Sequence, residues 1–316
     1  MRVFFQLYKR HAKLAAAEAL AVTHGKRIAT VKNELLIADV PHATFSHLGL
    51  SHAAYEFLFC CKKHELERTI QRTNFQKHYR ISFKVTAHHA APTQERAIAR
   101  LVTNRLTNAR ADMRTPKSWF HFFFINNTVV AGKLLWQNTE DFESRKVHHW
   151  PAPHPTGTHP QLARAMINLT GIERGELIDP FCGAGGTLIE AGLMGLKPIG
   201  SDVNPVLLAK AAKNLEGFRI KNYKLVRKDA RMLTGKIASL VADLPYGRNT
   251  PWKGLEVLYA EFLTRLKKVL TGRAVLGFPD TIPYRPLLKK AKLKIIDEFD
   301  WYINKRLSKK IVVVES

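Results

Sequence analysis

Apolar and polar positions along the first 150 residues alternate in short blocks. "MRVFFQLY" is strand-like, "KLAAAEALAV" is a strong helix former, and "RIATVKNELLIADV" returns to strand, the βαβ opening of a small α+β region. "HYRISFKVTA" predicts another strand and "APTQERAIARLVTNRLTNAR" an amphipathic helix. On a helical wheel Ile98, Leu101, Val102 and Leu106 share one face, and Arg96, Arg100, Thr103, Thr107 and Arg110 the other. "WFHFFFINNTVVAGKLLW" reads as two strands around an "NN" turn. "HHWPAPHPTGTHP" has no periodicity and is rich in Pro and His, so it predicts a linker and a boundary near residue 150.

Beyond that point the rhythm changes. Short β-rich runs, "ELID", "KPIGSD", "YKLVRKD", "SLVAD" and "RAVLGFP", are separated by helical stretches. Strands alternating with helices imply parallel strands joined by crossovers, hence a doubly wound α/β sheet. The ending "KLKIIDEFDWYINKRLSKKIVVVE" predicts two strands around a short basic turn, which would place an antiparallel strand in that sheet.

Length and charge widen the picture. A chain of 316 residues suggests two or three domains, and no apolar run approaches the roughly 20 residues of a membrane span. Fifty Lys and Arg against 26 Asp and Glu give a net charge of +24, which points to a polyanionic partner, nucleic acid above all. The excess is spread along the whole chain, with 23 basic and 11 acidic residues in positions 1–150, so no detachable basic tail explains it. Cys60, Cys61 and Cys182 form neither a CxxC pair nor an even framework, which suggests a cytoplasmic, reducing location and no metal site. The histidine pairs His88–His89 and His148–His149 read as surface or RNA-facing residues.

Candidate chemistry concentrates in the second half. "LIDPFCGAGGTLIEA" lies at the first strand-to-helix junction, where glycines 183, 185 and 186 allow a tight turn and close ligand approach. On its own this fits a nicotinamide, flavin or nucleoside cofactor equally. "GSDVNP" follows about 20 residues later and ends the second strand with Asp202, placed to hold ribose hydroxyls. Asp229 in "VRKDA" and Asp243 in "VADLPYG" end the next two strands. Four acids, Asp179, Asp202, Asp229 and Asp243, therefore line the carboxyl edge of the expected sheet. A dinucleotide reader accounts for Asp202 but not for the Pro-Tyr after Asp243.

In the order "DPFCGAGG", "GSDVNP", "RKDA" and "DLPYG", the chain resembles the class I S-adenosylmethionine-dependent methyltransferases that act on exocyclic amines. "HPTGTHPQLARAMINLTGIERGELIDPFCGAGGTLIEA" and "DLPYGRNTPWKGLEVLYAEFL" are similar to the THUMP-containing tRNA guanosine N2-methyltransferases, best the archaeal type acting at position 10. The likeness is strong over 154–316 and weaker over 1–150. It implies an N-terminal ferredoxin-like module at 1–50, a THUMP RNA-binding domain at 51–150 and a Rossmann-like methyltransferase domain at 151–316. It also implies tRNA as substrate, with no membrane association and no obligate protein partner evident.

Carried over residue by residue, the resemblance puts Asp179, Phe181, Gly183, Ala184 and Gly185 around the methionine part of S-adenosylmethionine. Asp202 would hold the ribose, Val203 would lie on the adenine, Asp229 would accept from the adenine amine, and Ala230 would pack beside it. The loop from His154 to Thr158 would close over the cofactor. The exocyclic amine of guanine is a poor nucleophile because its lone pair is delocalised into the ring. Two acceptors, the Asp243 carboxylate and the Leu244 carbonyl, would orient it and favour developing positive charge on nitrogen. Pro245 would stiffen the turn and Tyr246 would stack on the base. The family usually has proline where this chain has Leu244. Arg96, Arg100 and Lys117 are expected on tRNA phosphates, and Arg248 and Lys253 near the target nucleotide.

Overall fold

The computed structural model describes residues 1–75, 82–106, 110–155, 157–245, 252–304 and 307–316. Its strands form two sheets. The first has eight strands: β1 (Arg2–Leu7), β2 (Lys26–Val31), β3 (Leu35–Asp39), β4 (Ser51–Lys62), β5 (Ser82–His88), β6 (Arg110–Ala111), β7 (Ser118–Ile125) and β8 (Thr128–Gln137). Their spatial order is β2-β3-β1-β4-β8-β7-β5-β6. "RIATVKNELLIADV" is thus a hairpin, turned by Lys32 and Asn33 at positive φ of 44° and 56°. The "NN" turn joins β7 to β8 in antiparallel register as expected.

Helices α1 (Ala12–Thr23), α2 (Leu66–Arg72) and α3 (Pro92–Thr103) lie among these strands in the chain. The inward face of α3, Ile98 and Val102, packs with Ile70, Phe83, Phe120 and Phe122. The helix expected to continue to residue 110 stops at Thr103. The Thr103 hydroxyl turns back to the Ala99 carbonyl at 2.7 Å and Asn104 forms the cap, two residues whose short polar side chains favour helix ends. Thr107 lies outside the described residues. His89 is exposed, but His88 is half-buried, stacked on Phe123 at 4.2 Å and bonded to His121 at 2.8 Å, so burial rather than RNA accounts for it.

The second sheet contains β9 (Glu176–Asp179), β10 (Lys197–Asp202), β11 (Lys224–Arg227), β12 (Ile237–Asp243), β13 (Leu270–Pro279), β14 (Lys294–Asn304) and β15 (Leu307–Glu315). The order is β11-β10-β9-β12-β13-β15-β14, parallel except for β15, which runs antiparallel between β13 and β14. This is the Rossmann-like sheet with its terminal antiparallel strand. Five helices connect it: α4 (Pro160–Leu169), α5 (Gly186–Leu193), α6 (Pro205–Gly217), α7 (Trp252–Val269) and α8 (Tyr284–Lys290). Because both faces are covered, the β12 segment "LVA" is buried throughout instead of alternating. Leu240 and Ala242 pack with Tyr259, Phe262 and Leu266 of α7. Among the described residues no helix is long and apolar enough to cross a membrane.

Packing divides the chain into two units. One comprises Met1–Ala12, Thr23–Phe45 and Ser51–Asn138; the other comprises Lys13–Val22, Ser46–Leu50 and Thr139–Ser316. The second unit therefore includes most of α1, and Glu18 shows how it is tied there. The Glu18 carboxylate is fully buried and accepts from the Gly49 and Leu50 N–H groups, both at 2.8 Å, and from the Asn168 amide on α4 at 2.7 Å. Burial raises its pKa from 4.5 to about 7, against the pull of those hydrogen bonds. A carboxyl with a raised folded-state pKa stabilises the fold fully below its ordinary value, and that contribution is lost as pH rises through about 7. Thermal midpoints should fall between about pH 5 and pH 8, and Glu18→Gln should flatten that slope. An unchanged slope in the variant would assign the effect elsewhere.

Candidate active site at the carboxyl edge of the second sheet

Three of the four acids close strands, Asp229 lies beyond the end of β11, and the four sit in very different surroundings. Asp179, closing β9, is 2% exposed and accepts from the Phe181 N–H at 3.0 Å. Burial raises its pKa to about 7, and the nearby charges of Asp243 and Asp202 push the same way, while hydrogen bonds from Phe181 and Thr187 oppose the rise. Asp202, closing β10, accepts from the Gly183 N–H at 3.0 Å and the Asn204 N–H at 2.9 Å, so one carboxylate ties the glycine loop to the neighbouring strand. Gly185 has φ of +96°, where a side chain would be strained, and a Cβ would also stand 3.3 Å from that of Ala211. The loop then feeds α5, whose first N–H groups face the same edge.

Asp229 lies beyond β11 and caps a short 3-10 turn at Ala230–Met232. It accepts from the Arg231 N–H at 2.8 Å and from the Arg231 guanidinium at 2.7 Å, which holds its carboxyl below the usual range. Arg231 also reaches Glu261 on α7 at 2.8 Å. Ala230 is buried in the core, whereas Val203 and Met232, which follow the ends of β10 and β11, are 59% and 63% exposed. Two apolar side chains left open beside acids suit a flat apolar ring with polar edges, such as adenine.

Asp243 closes β12 and is only 10% exposed in its side chain. Its Oδ2 accepts from the Thr158 hydroxyl at 2.9 Å and from the Lys309 ammonium at 2.5 Å. The Leu244 N–H donates to the Gly277 carbonyl at 3.0 Å. Proline has no such donor, so a leucine at this position adds one ladder bond that a proline would lack. The Leu244 side chain is fully buried, and the Pro245 carbonyl accepts from the Tyr259 hydroxyl of α7. Phe181 is half-buried and packs edge-on against Phe262 at 5.0 Å. Tyr246 and Arg248 lie outside the described residues, as does the Lys253 side chain. Arg96, Arg100 and Lys117 are exposed and belong to the other unit.

Several residues that hold this edge together carry no local sequence signal. Asn214 of α6, fully buried, donates to the Ala184 carbonyl at 2.9 Å and pairs with Ala152 through both its amide N–H and its oxygen. It thereby stitches the His- and Pro-rich linker to the glycine loop. Glu190 of α5 is 1% exposed and accepts from both Arg145 and Arg164 at 2.8 Å, with Phe142 beneath the two guanidinium groups. Such pairs join positions 26 to 62 residues apart and follow from the fold rather than from spacing.

The model of the RMKL-like methyltransferase domain matches residues 145–309. The chain belongs to that methyltransferase family. A DNA methylase model matches residues 32–213, ending before the Asp243 turn. The chain is 27% identical to the tRNA (guanine(10)-N2)-dimethyltransferase of Methanothermobacter thermautotrophicus over 336 aligned positions, covering 100% of this chain and 99% of that protein. It is 34% identical to the enzyme of the same name from Pyrococcus abyssi over 201 positions, 60% of this chain and 61% of that one. In fold it is similar to the crystal structure of TrmN from Thermus thermophilus, with a TM-score of 0.52 over the whole of both chains at 18% identity.

The methyltransferase's Asp243 faces Gly277 across the parallel β12–β13 pair, and a Cβ on Gly277 would stand 3.0 Å from Oδ1 and 3.6 Å from the Met166 methyl. Gly277→Ala should therefore displace the carboxylate while leaving the fold in place. Methyl transfer is expected to fall by at least about tenfold with little change in thermal midpoint, since small misplacements of a reacting group are costly. A fully active Gly277→Ala would show that this carboxylate need not be held so closely.

Proposed function

We propose that the chain is a tRNA (guanine-N2)-methyltransferase that uses S-adenosylmethionine and acts on a guanosine of tRNA, position 10 by its likeness to the relatives named above. The observation that carries the reading is the Asp243–Leu244–Pro245 turn, held at the lip of the sheet beside a loop and three further acids suited to a nucleoside cofactor. When bound, S-adenosylmethionine supplies a sulfonium methyl: the guanine nitrogen gives its lone pair to the new N–C bond, the C–S pair stays on sulfur, and one amine proton is released. Asp179 and the glycine loop would receive the charged amino-acid end, Asp202 the ribose, and Asp229 with Val203 the adenine. Asp229 would have to exchange part of its contact with Arg231 to do so.

Asp243 and the Leu244 carbonyl would accept from the amine, Tyr246 would stack on the base, and Asp243 would take the released proton. Arg248 and Lys253 would lie near the target nucleotide. Within the reading, 1–50 and 51–150 are the ferredoxin-like and THUMP segments that grip tRNA, 151–316 is the methyltransferase domain, and the enzyme works in the cytoplasm. A base inside a stem must leave its stack to meet the methyl, which requires such a grip on the flanking backbone.

Purified protein, radiolabelled S-adenosylmethionine and unmodified tRNA transcript should yield labelled N2-methyl- or N2,N2-dimethylguanosine, and Asp243→Ala should abolish it. Label on adenine of a DNA duplex, with tRNA unlabelled, would instead assign the chemistry to the DNA methylase branch. For the RNA grip, Arg96→Ala with Arg100→Ala should weaken tRNA binding and reduce the slope of log K against log salt by about 2, one unit per lost phosphate contact. Unaltered binding at low and moderate salt would remove both arginines from the interface.

A further inference from the structure

Lys309 is the one lysine among the described buried polar and charged residues of the molecule, at 5% exposed, and the register of the sheet explains where it points. In β13–β15 pairing, Lys309 lies opposite Pro279 and Ile311 opposite Gly277; in β12–β13 pairing, Asp243 lies opposite Gly277. Directly paired residues share a face, and residues two apart along a strand share it as well. Lys309, Gly277 and Asp243 are therefore on one face, with β13 between the lysine and the acid. From its place opposite Pro279 the lysine reaches across β13 and brings its ammonium to Asp243 Oδ2 at 2.5 Å. The next residue, Lys310, points the other way and pairs with the exposed Asp300.

Burying this charge is not something the fold needs. An ion pair inside a protein gives little net stability compared with apolar residues of the same volume, and the neighbouring positions Ile311, Val312 and Val313 show that the strand accommodates them. Nor can so buried an ammonium serve as an open phosphate contact. What it does at Asp243 is geometric: Lys309 and the Thr158 hydroxyl both reach Oδ2, from β15 and from the loop before α4, and so fix the plane of the carboxylate from two sides.

We infer that Lys309 is a positioning residue for methyl transfer, acting through Asp243, whose carboxylate it holds in the orientation that meets the target amine. The inference rests on the functional reading above. It assigns a site role to the terminal hairpin, which lies 66 residues along the chain from the acid it serves.

The test is a double-mutant cycle of Lys309→Met and Asp243→Asn, in which the amide keeps an acceptor oxygen but removes the charge. Four quantities are read: the single-turnover rate, the affinities for S-adenosylmethionine and for tRNA by direct binding, and the thermal midpoint. Lys309→Met alone should lower the single-turnover rate about 100-fold, with both affinities within about threefold of wild type. In the Asp243→Asn background the same change should alter the rate by less than about threefold, because residues acting as a unit are not additive. The midpoint lowered by Lys309→Met should recover in the double variant, which leaves no unpaired charge, so that a rate loss due to misfolding is recognised.

Rate losses that multiply in the double variant, a Lys309→Met rate equal to wild type, or a fall in tRNA affinity as large as the fall in rate would each overturn the inference. Wild-type protein that leaves tRNA unmethylated would overturn the functional reading, and this inference with it. Active wild type with an unaffected Lys309→Met would overturn the inference alone.

Discussion

Carboxylates that close neighbouring strands of one sheet need donors of their own, and that need shapes the edge of the second unit. Asp179, Asp202 and Asp243 end adjacent strands, and each would destabilise the others were it not given its own donors. Asp202 is answered by backbone N–H groups of the glycine loop and its own turn, Asp243 by an ammonium and a hydroxyl. Asp179 is left the deepest, and burial first, then the nearby charges of Asp243 and Asp202, raises its pKa to about 7. The glycine loop, the segment around Thr158 and the terminal hairpin are thus fixed by the same electrostatic requirement that makes the edge receptive to a cation.

The edge also stands out against its surroundings. A chain with a net charge of +24 gathers three carboxylates, Asp179, Asp202 and Asp243, at one edge of its second sheet. Such an edge would, under the proposed function, favour the sulfonium and ammonium of the cofactor over a phosphate. Under the proposed function, a nucleic acid held by the basic surface would be free to present a neutral base to the edge but not its backbone.

Much of this was legible in the sequence because it is local. Strand–helix alternation after residue 150, the glycine loop and the acids that close β9, β10 and β12 are patterns within a few residues, and the structure has each of them. The hairpin at the end was legible for the same reason. The twelve-residue strand β4 was not: "SHAAYEFLFCCK" mixes small, aromatic and polar residues without clean alternation, and its place at the centre of the first sheet comes from partners on both sides. Tyr259, Asn214, Glu190 and Lys309 escape sequence reading because their partners lie 14, 30, 26 and 66 residues away in the chain. Leu244 is the reverse case, a departure visible in the sequence whose meaning, a donated backbone hydrogen bond, only the structure supplies.

The second unit is assembled from three separate stretches of chain, Lys13–Val22, Ser46–Leu50 and Thr139–Ser316. Glu18 and Asn168, whose side chains meet at 2.7 Å, emerge from the ribosome 150 residues apart. At roughly 5–20 residues per second, the Glu18 carboxylate would wait on the order of ten seconds or longer for the amide it accepts from. The same threading means that the catalytic half cannot be lifted out by cutting at the linker: a fragment beginning at residue 139 would leave the Asn168 amide without the buried carboxylate that receives it, and would have to find another way to close that side of α4.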